Sequence, residues 1–558
     1  VPPARLAAYL RDLSALLKKY DYKTVLYGHF GEGCVHCRMD WDLLTADGIA
    51  KWKRFLEEAA ELVISYGGSL SGEHGDGQAR GWLLPKMFGE ELVAAFREFK
   101  AIWDPEGRMN PGKVVDPDPV DANLRLGTAY RPAEPATRFR FPADQGSFAR
   151  AALRCVGAGV CRRQEGGLMC PSYRATRDER ETTRGRARLL FEMLRGDPVA
   201  GGWRSLEVKE ALDLCLACKG CKGECPVNVD MASYKAEFFS HFYEGRLRPR
   251  EAYAFGLVGR WAPLAARAPR LANAAAHAPG LGGLLKLLVG IHPARHIPAL
   301  APQSFRRWFA RRARSQGDGP AVLLWADTFN NYFRPQTAIA AVEVLEAAGF
   351  RVEVDERPFC CGRPLYDYGM LPTAKSWLSR IVTALAPRLR AGMPVVVLEP
   401  SCASVFRDEL LNFFPEDEDA QRLARQTFLL SEILERSAPG WQPPRLGKKA
   451  IVQGHCHQQA VLRMDDERAV LGRLGLDFEV LDSGCCGMAG AFGFERRHYD
   501  VAQQIGERVL LPAVRQAAPE TLILADGFSC REQIAQSTGR QALHLAEVLR
   551  MAMHEGSA

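Results

Sequence analysis

Two glycine-rich stretches near the start of the chain carry the residue types best suited to chemistry. GHFGEGCVH, from Gly28 to His36, sets two histidines seven residues apart. SGEHGDG, from Ser71 to Gly77, offers Glu73 and His74 in a second glycine frame. Glycine at that density lets backbone approach a neighbour closely. Two imidazoles and a carboxylate so framed can form a metal site, or a base beside one; taken singly, each histidine reads equally well as a hydrogen-bonded core residue. Positioning them needs a strand and a loop. If Cys34–Arg38 is a strand, Cys34, His36 and Arg38 share one face and Cys37 faces away. That alternation disfavours a zinc pair made of Cys34 and Cys37. It also lets Arg38 clamp a substrate carboxylate in bidentate fashion.

A second chemistry is written in sulfur. The chain holds 16 cysteines. LCLACKGCKGECP, from Leu214 to Pro226, arranges Cys215, Cys218, Cys221 and Cys225 as C-x2-C-x2-C-x3-C-P. In this iron–sulfur run three thiolates take three corners of one cubane and the fourth serves a second cluster. A zinc knuckle prefers two separated pairs. The rule demands a partner motif ending in Cys-Pro, and the chain has one: Cys155, Cys161, then Cys170 before Pro171. Cys170 is expected to complete a 4Fe-4S cluster with Cys215, Cys218 and Cys221. The reciprocal site has Cys155, Cys161 and Cys225, but Ala158 stands where its middle ligand belongs. A 3Fe-4S cluster, a 4Fe-4S cluster with a non-cysteine ligand, or an empty site of structural cysteines are the open readings.

Further on the chain repeats itself. Short apolar strands alternate with helices of ten or more residues, which argues for parallel α/β units. Each copy carries a Cys-Cys-Gly after a strand and a Ser-Cys after the next. The second copy offers Cys456, Cys485, Cys486 and Cys530, flanked by His455 and His457, as a metal or cluster site. The first offers Cys360, Cys361 and Cys402, with Asp327 at the loop place of Cys456, and reads as a degenerate, structural half. In open α/β sheets such strand ends are where ligands collect.

These motifs imply a multidomain α/β and α+β chain. Its boundaries are expected at 1–116 for an α+β region, 117–148 for a Pro/Asp-rich linker, 149–245 for a helical iron–sulfur domain, 246–317 for a basic helical linker, and 318–440 and 441–558 for the two repeats. The composition, 47% hydrophobic and 25% charged, is that of a globular protein. No signal peptide is evident, and no apolar run is long enough to span a membrane. The chain opens on Val1 directly in an amphipathic pattern, as a cut through a longer protein would. Paired cysteines of this kind read as reduced thiolate ligands, hence a cytoplasmic protein. Net charge is +7, yet residues 252–317 contain no Asp or Glu and end in a basic run, RRWFARRAR. That segment suits an anionic membrane surface on the inner face, or two linker helices packed on an acidic neighbour, the latter preferred. No nucleic-acid partner is expected.

The ordered motifs Gly28–His36, Gly72–Gly77 and Asn110–Lys113 (NPGK) resemble the C-terminal cap of FAD-linked 2-hydroxyacid dehydrogenases. The doubled Cys-Cys-Gly resembles the cysteine-rich domain of heterodisulfide reductases and of anaerobic glycerol-3-phosphate dehydrogenases. Those families end in Cys-x2-Cys, whereas Cys402 and Cys530 follow Ser and have no second Cys. The whole chain resembles the large bacterial D-2-hydroxyglutarate dehydrogenases that fuse these parts, with the FAD-binding domain preceding residue 1. The resemblance implies that His29, His36 and Glu73 bind a divalent metal, zinc by preference, that His74 is the base, and that Asn110 and Lys113 touch the flavin. It implies oxidation of a D-2-hydroxy acid, D-2-hydroxyglutarate foremost, with electrons passing from FAD through iron–sulfur clusters to a quinone or protein acceptor. This fragment alone is then expected to be inactive; a homo-oligomer is compatible with it. The competing readings are an electron-transfer or heterodisulfide-reductase-like component without its own dehydrogenase activity, and a zinc-stapled scaffold.

Overall fold

A computed structural model describes residues 1–312 and 319–555. Arg314, in the basic run, lies outside the described residues. The chain divides into two units, Val1–Pro132 and Ala133–Ala558.

In the first unit, helix Pro3–Lys19 leads into an antiparallel hairpin of β1 (Thr24–His29) and β2 (Cys34–Met39). Helices Ala46–Ser65 and Leu84–Trp103 follow. The Thr45 hydroxyl starts the first of these by accepting from the Gly48 N–H at 3.0 Å, which satisfies one free donor of the opening turn. The core is a patch of Leu13, Leu17, Tyr22 and Phe55, with Cys37, Met39 and Trp41 packed on it. The hairpin thus buries one face and leaves the other for the histidines.

The stretch expected to be a linker is divided. Asp121 pairs with Lys53 at 3.2 Å and the Pro119 carbonyl accepts from Gln78, so its first part packs on the first unit. Its later part enters the second unit's core. Phe139 and Phe141 are buried, and the Arg138 and Phe139 N–H groups donate to the buried Glu237 carboxylate at 2.7 and 2.9 Å.

The second unit begins with helices, among them Thr183–Arg195 and Met231–Phe242, between which the cysteine loops run. Two small parallel sheets follow. One has the order β4-β3-β5-β6, with β3 Ala321–Trp325, β4 Arg351–Glu353, β5 Val395–Val397 and β6 Thr427–Leu429. The other is β8-β7-β9, with β7 Lys449–Val452, β8 Asp477–Val480 and β9 Leu522–Leu524. The chain is therefore mixed α/β, with the repeated parallel units that the strand–helix alternation requires.

The helical part and the first sheet are tied by a buried ion cluster. Lys219, 1% exposed, reaches Asp230 at 2.9 Å, Asp408 at 2.8 Å and Glu409 at 3.3 Å. A cation so buried is tolerated only because carboxylates surround it. The two sheets are also interlocked. Helix Leu545–Glu555 of the second copy packs on helix Pro335–Ala347 of the first, and Arg531 donates to Thr337 at 2.9 Å. Among the described residues no helix is long and apolar enough to cross a membrane.

Candidate metal and iron–sulfur centres

In the first unit, strand alternation and two glycines build the site. Cys34, His36 and Arg38 lie along β2 on one face, and Cys37 packs toward the core. Gly28, opposite Val35 in the hairpin, has φ +141°, and a Cβ there would stand 2.6 Å from the Cys34 carbonyl oxygen. Gly72 is required for another reason: any Cβ would collide with the Cys34 sulfur. The loop can therefore lay Glu73 directly against the strand.

Glu73 is the hub. Its Oε1 lies 2.6 Å from His36 Nε2 and 3.3 Å from His74 Nε2, and its Oε2 lies 3.6 Å from His29 Nε2. The His36 hydrogen bond, then the charges of the imidazoles, hold this carboxyl below its ordinary range. The potential ligand atoms of Cys34, His36 and Glu73 all lie within 4.8 Å of one another. Two nitrogen or sulfur donors and one carboxylate suit zinc, which accepts all three donor types. His29, His36, Glu73 and His74 are thus brought together. Cys34 joins them, a ligand candidate that strand alternation places on the right face without giving it a role; its i, i+2 spacing to His36 is the one sequence signal for it. His29 and His74 are mostly exposed, His36 much less so.

Arg38 Nε donates to the Tyr27 hydroxyl at 3.1 Å, and Tyr27 stacks on His36 with ring centroids 4.9 Å apart. Lys113 Nζ donates to Gln78 Oε1 at 2.8 Å, and the Val114 N–H donates to the Gly77 carbonyl at 3.1 Å. The NPGK turn is thereby held against the end of the Glu73 loop. Asn110 takes a left-handed conformation, φ 46°, within that turn.

The two cysteines of the hairpin should part company under substitution. Cys34→Ala is expected to lower bound zinc at limiting metal, measured by elemental analysis after dialysis. Cys37→Ala is expected to leave the metal content unchanged and to cost about 1 kcal/mol of stability by opening a small core void.

In the second unit the ferredoxin-type cysteines fall into two groups. Cys170 is buried; the Thr183 N–H donates to its sulfur at 3.1 Å, and burial pushes its thiol up to about 11. Cys221 is raised by burial and, in addition, by Asp230, Cys170 and Cys215. Cys218 is raised by burial and by Cys456, Cys221 and Cys215. Cys221 therefore stands within electrostatic reach of Cys170, Cys215 and Cys218. Cys155, Cys161 and Cys225 line a separate small cavity, with Ala158 among them. Buried thiols crowded in this way resist losing their protons without a cation, and iron supplies one.

The repeats pool their cysteines in a way the sequence does not reveal. Cys360, Cys361 and Cys402 of the first copy and Cys456 of the second line one cavity of about 60 Å³, with His455, His457 and Glu399. Cys485 and Cys530 hydrogen-bond to Cys486, and Cys485 to Cys456, which holds the Cys486 and Cys456 thiols below their ordinary range. Glu399 bridges the copies: its Oε2 accepts from the Phe528 N–H at 2.8 Å, and its Oε1 lies 3.9 Å from His455 Nε2. Asp327, in the loop place of Cys456, is buried and caps the next helix. Burial, then Glu399, pushes its carboxyl up to about 6. Cys218, from the ferredoxin loop, borders this group through Cys456, so two sites that lie far apart in sequence are neighbours.

Fold and sites together combine a pocket whose residues could hold a metal with several groups of clustered cysteines. Comparison with known families gives these parts names. The C-terminal domain of FAD linked oxidases matches residues 1–114, the 4Fe-4S dicluster domain matches 151–229, and the cysteine-rich domain matches twice, at 327–407 and 456–535. These three domains are joined in one chain. It is 29% identical to the D-2-hydroxyglutarate dehydrogenase of Escherichia coli K12, across 98% of this chain and 58% of that protein. The D-2-hydroxyglutarate dehydrogenase of Pseudomonas putida is 28% identical over the same shares. Lactate utilization protein A of Bacillus licheniformis is 30% identical across 41% of this chain and 98% of its own length. The chain thus spans somewhat over half the length of the D-2-hydroxyglutarate dehydrogenases it matches.

Proposed function

We propose that this chain supplies the substrate-side cap and the electron-transfer domains of a D-2-hydroxyacid dehydrogenase, with D-2-hydroxyglutarate as the leading substrate. The observation that carries the reading is the convergence of His29, His36, His74 and Cys34 on Glu73, in one chain with the buried cysteine groups. His29, His36 and Glu73 hold a divalent metal, zinc by donor type, with Cys34 as a further candidate. Cys170, Cys215, Cys218 and Cys221 hold a 4Fe-4S cluster. Cys155, Cys161 and Cys225 hold a second, and Cys456, Cys485, Cys486 and Cys530 form a further metal or cluster site. FAD is held mainly by a domain outside these residues.

When bound, the metal lowers the pKa of a coordinated hydroxyl and the flavin accepts hydride. His74, on a loop beside the metal ligands, takes the hydroxyl proton; the Glu73 carboxylate, with Oε1 3.3 Å from His74 Nε2, orients the ring. Arg38, anchored through Nε by Tyr27, turns its terminal nitrogens to a substrate carboxylate. Lys113 and Asn110 shape the exit turn against the Glu73 loop and are the residues that would touch the flavin.

The test is anaerobic flavin reduction in the full-length protein with D-2-hydroxyglutarate, D-lactate and glycolate in separate cuvettes. Bleaching by one of the acids, abolished by a chelator and restored by zinc, is the expected result. No bleaching by any of them, in protein shown to contain flavin, metal and iron, would move the assignment to an electron carrier.

A further inference from the structure

A large apolar cavity lies in the second unit. Its volume is about 400 Å³, within the range of small-ligand sites. Three helices of the acid-free segment wall it on one side: Val258–Ala265, Pro269–His277 and Leu281–Val289, through Trp261, Ala276 and Leu285 among others. On the other side are Phe329, Pro364, Gly490, Phe528 and Ser529, and these same five residues line the cysteine cavity between the repeats. The two cavities therefore share a wall, one residue thick at Ser529, whose neighbour is Cys530.

Almost all of this lining is carbon, so the ligand is apolar. Its few polar groups are specific. Asn273 is used up in bridging the Leu300 backbone at 2.8 and 2.9 Å. Ser529 Oγ accepts from the Gly490 N–H at 3.1 Å, which leaves its own proton to donate. A ligand with a ring for Trp261, Phe329 and Phe528 and a carbonyl for Ser529 matches that inventory.

The outer side of the same helices shows where such a ligand comes from. Helix Leu281–Val289 turns Leu285 and Val289 into the cavity and leaves Leu284, Leu287 and Leu288 at least half exposed. Leu264 and Leu271 are exposed beside it, with Arg260, Arg267 and Arg270, and no carboxylate lies on the segment. Helices that are apolar outside and basic around the edge lie stably in an anionic lipid interface.

We propose that this cavity binds a lipid-soluble quinone, the acceptor of the electrons gathered by the adjoining cysteine centres. The exchange balances overall. The 2-hydroxy acid loses two electrons and two protons in becoming the 2-oxo acid; the quinone gains two electrons and two protons from solvent in becoming the quinol. The acceptor role rests on the dehydrogenase reading above; the binding does not.

The test uses the full-length holoprotein and decylubiquinone, followed by quenching of protein fluorescence, to which Trp261 contributes. Ala276→Phe and Ala272→Phe, each adding a ring inside the cavity, are expected to weaken binding at least tenfold. Iron content, thermal midpoint and hydroxy-acid-driven reduction of a water-soluble dye are expected to stay as in the parent. Parent-like decylubiquinone binding in both variants overturns the proposal, as does the absence of binding to the parent. Binding that the variants abolish, in protein that no hydroxy acid reduces, keeps the quinone site and removes the dehydrogenase reading instead.

Discussion

His74→Ala is expected to slow reduction of the flavin by D-2-hydroxyglutarate by roughly 10²- to 10⁴-fold, the usual worth of a positioned base, with zinc content unchanged. The geometry separates these two effects. His74 Nε2 stands 3.3 Å from Glu73 Oε1, on the open side of the loop, while the closest pairing at Glu73 belongs to His36 at 2.6 Å. Removing His74 therefore takes away a proton acceptor and leaves Cys34, His36 and Glu73 within ligand distance of one another. Glu73→Gln is the contrasting variant. It removes the charge that joins three imidazoles, so metal and activity should go together. Stopped-flow absorbance at the flavin band, alongside zinc analysis of the same samples, checks both. If His74→Ala reduced its flavin at the parent rate, the base would have to be sought elsewhere.

The second large effect is expected at Cys218. Cys218→Ser should lose roughly four irons per chain, and reduced flavin should then persist when an external acceptor is added. Cys218, of the ferredoxin loop, feels a repeat-domain thiol, Cys456. It thus stands at the junction between the ferredoxin loop and the second copy. Cys225→Ser, at the other cavity, should spare that iron and affect only the centre near Cys155 and Cys161. Iron analysis and low-temperature paramagnetic resonance distinguish the two variants. Acceptor reduction at parent rate in Cys218→Ser would place the route outside this junction.

Local pattern made much of this legible. The alternation in Cys34–Arg38 is enough to aim His36 one way and Cys37 the other, because a strand has only two faces. Cysteine spacing within the Leu214–Pro226 loop likewise fixes which thiols can approach one centre. What escaped was non-local. Cys34 meets Glu73 only because Gly72 has no side chain, a fact of two segments that are remote in sequence. Phe139 and Phe141 sit in a Pro-rich stretch that reads as linker, yet each finds a hydrophobic slot and Glu237 takes up the neighbouring backbone. The first repeat looks degenerate on its own cysteines; its part in a shared cavity depends on how two sheets face each other, which no periodicity records. The cavity walled by the acid-free helices was invisible for the same reason: composition shows a basic, apolar segment, but not that it curves over Phe528 and Ser529.

The interlocking of the two repeats bears on the order of events during synthesis. Domains tend to fold from the N-terminus as the chain leaves the ribosome. Here the first sheet cannot finish its core alone, since helix Pro335–Ala347 is covered by helix Leu545–Glu555, and the Leu398 carbonyl waits for His544 at 3.0 Å. Every cysteine of the chain precedes that covering helix. The thiols of both repeats have therefore emerged before the second copy can dock on the first and enclose the cavity lined by Cys360, Cys361, Cys402 and Cys456. The fold leaves a pause in which metal or cluster delivery can reach sulfurs that the finished molecule hides, and a nascent chain that docks too early would trap them empty.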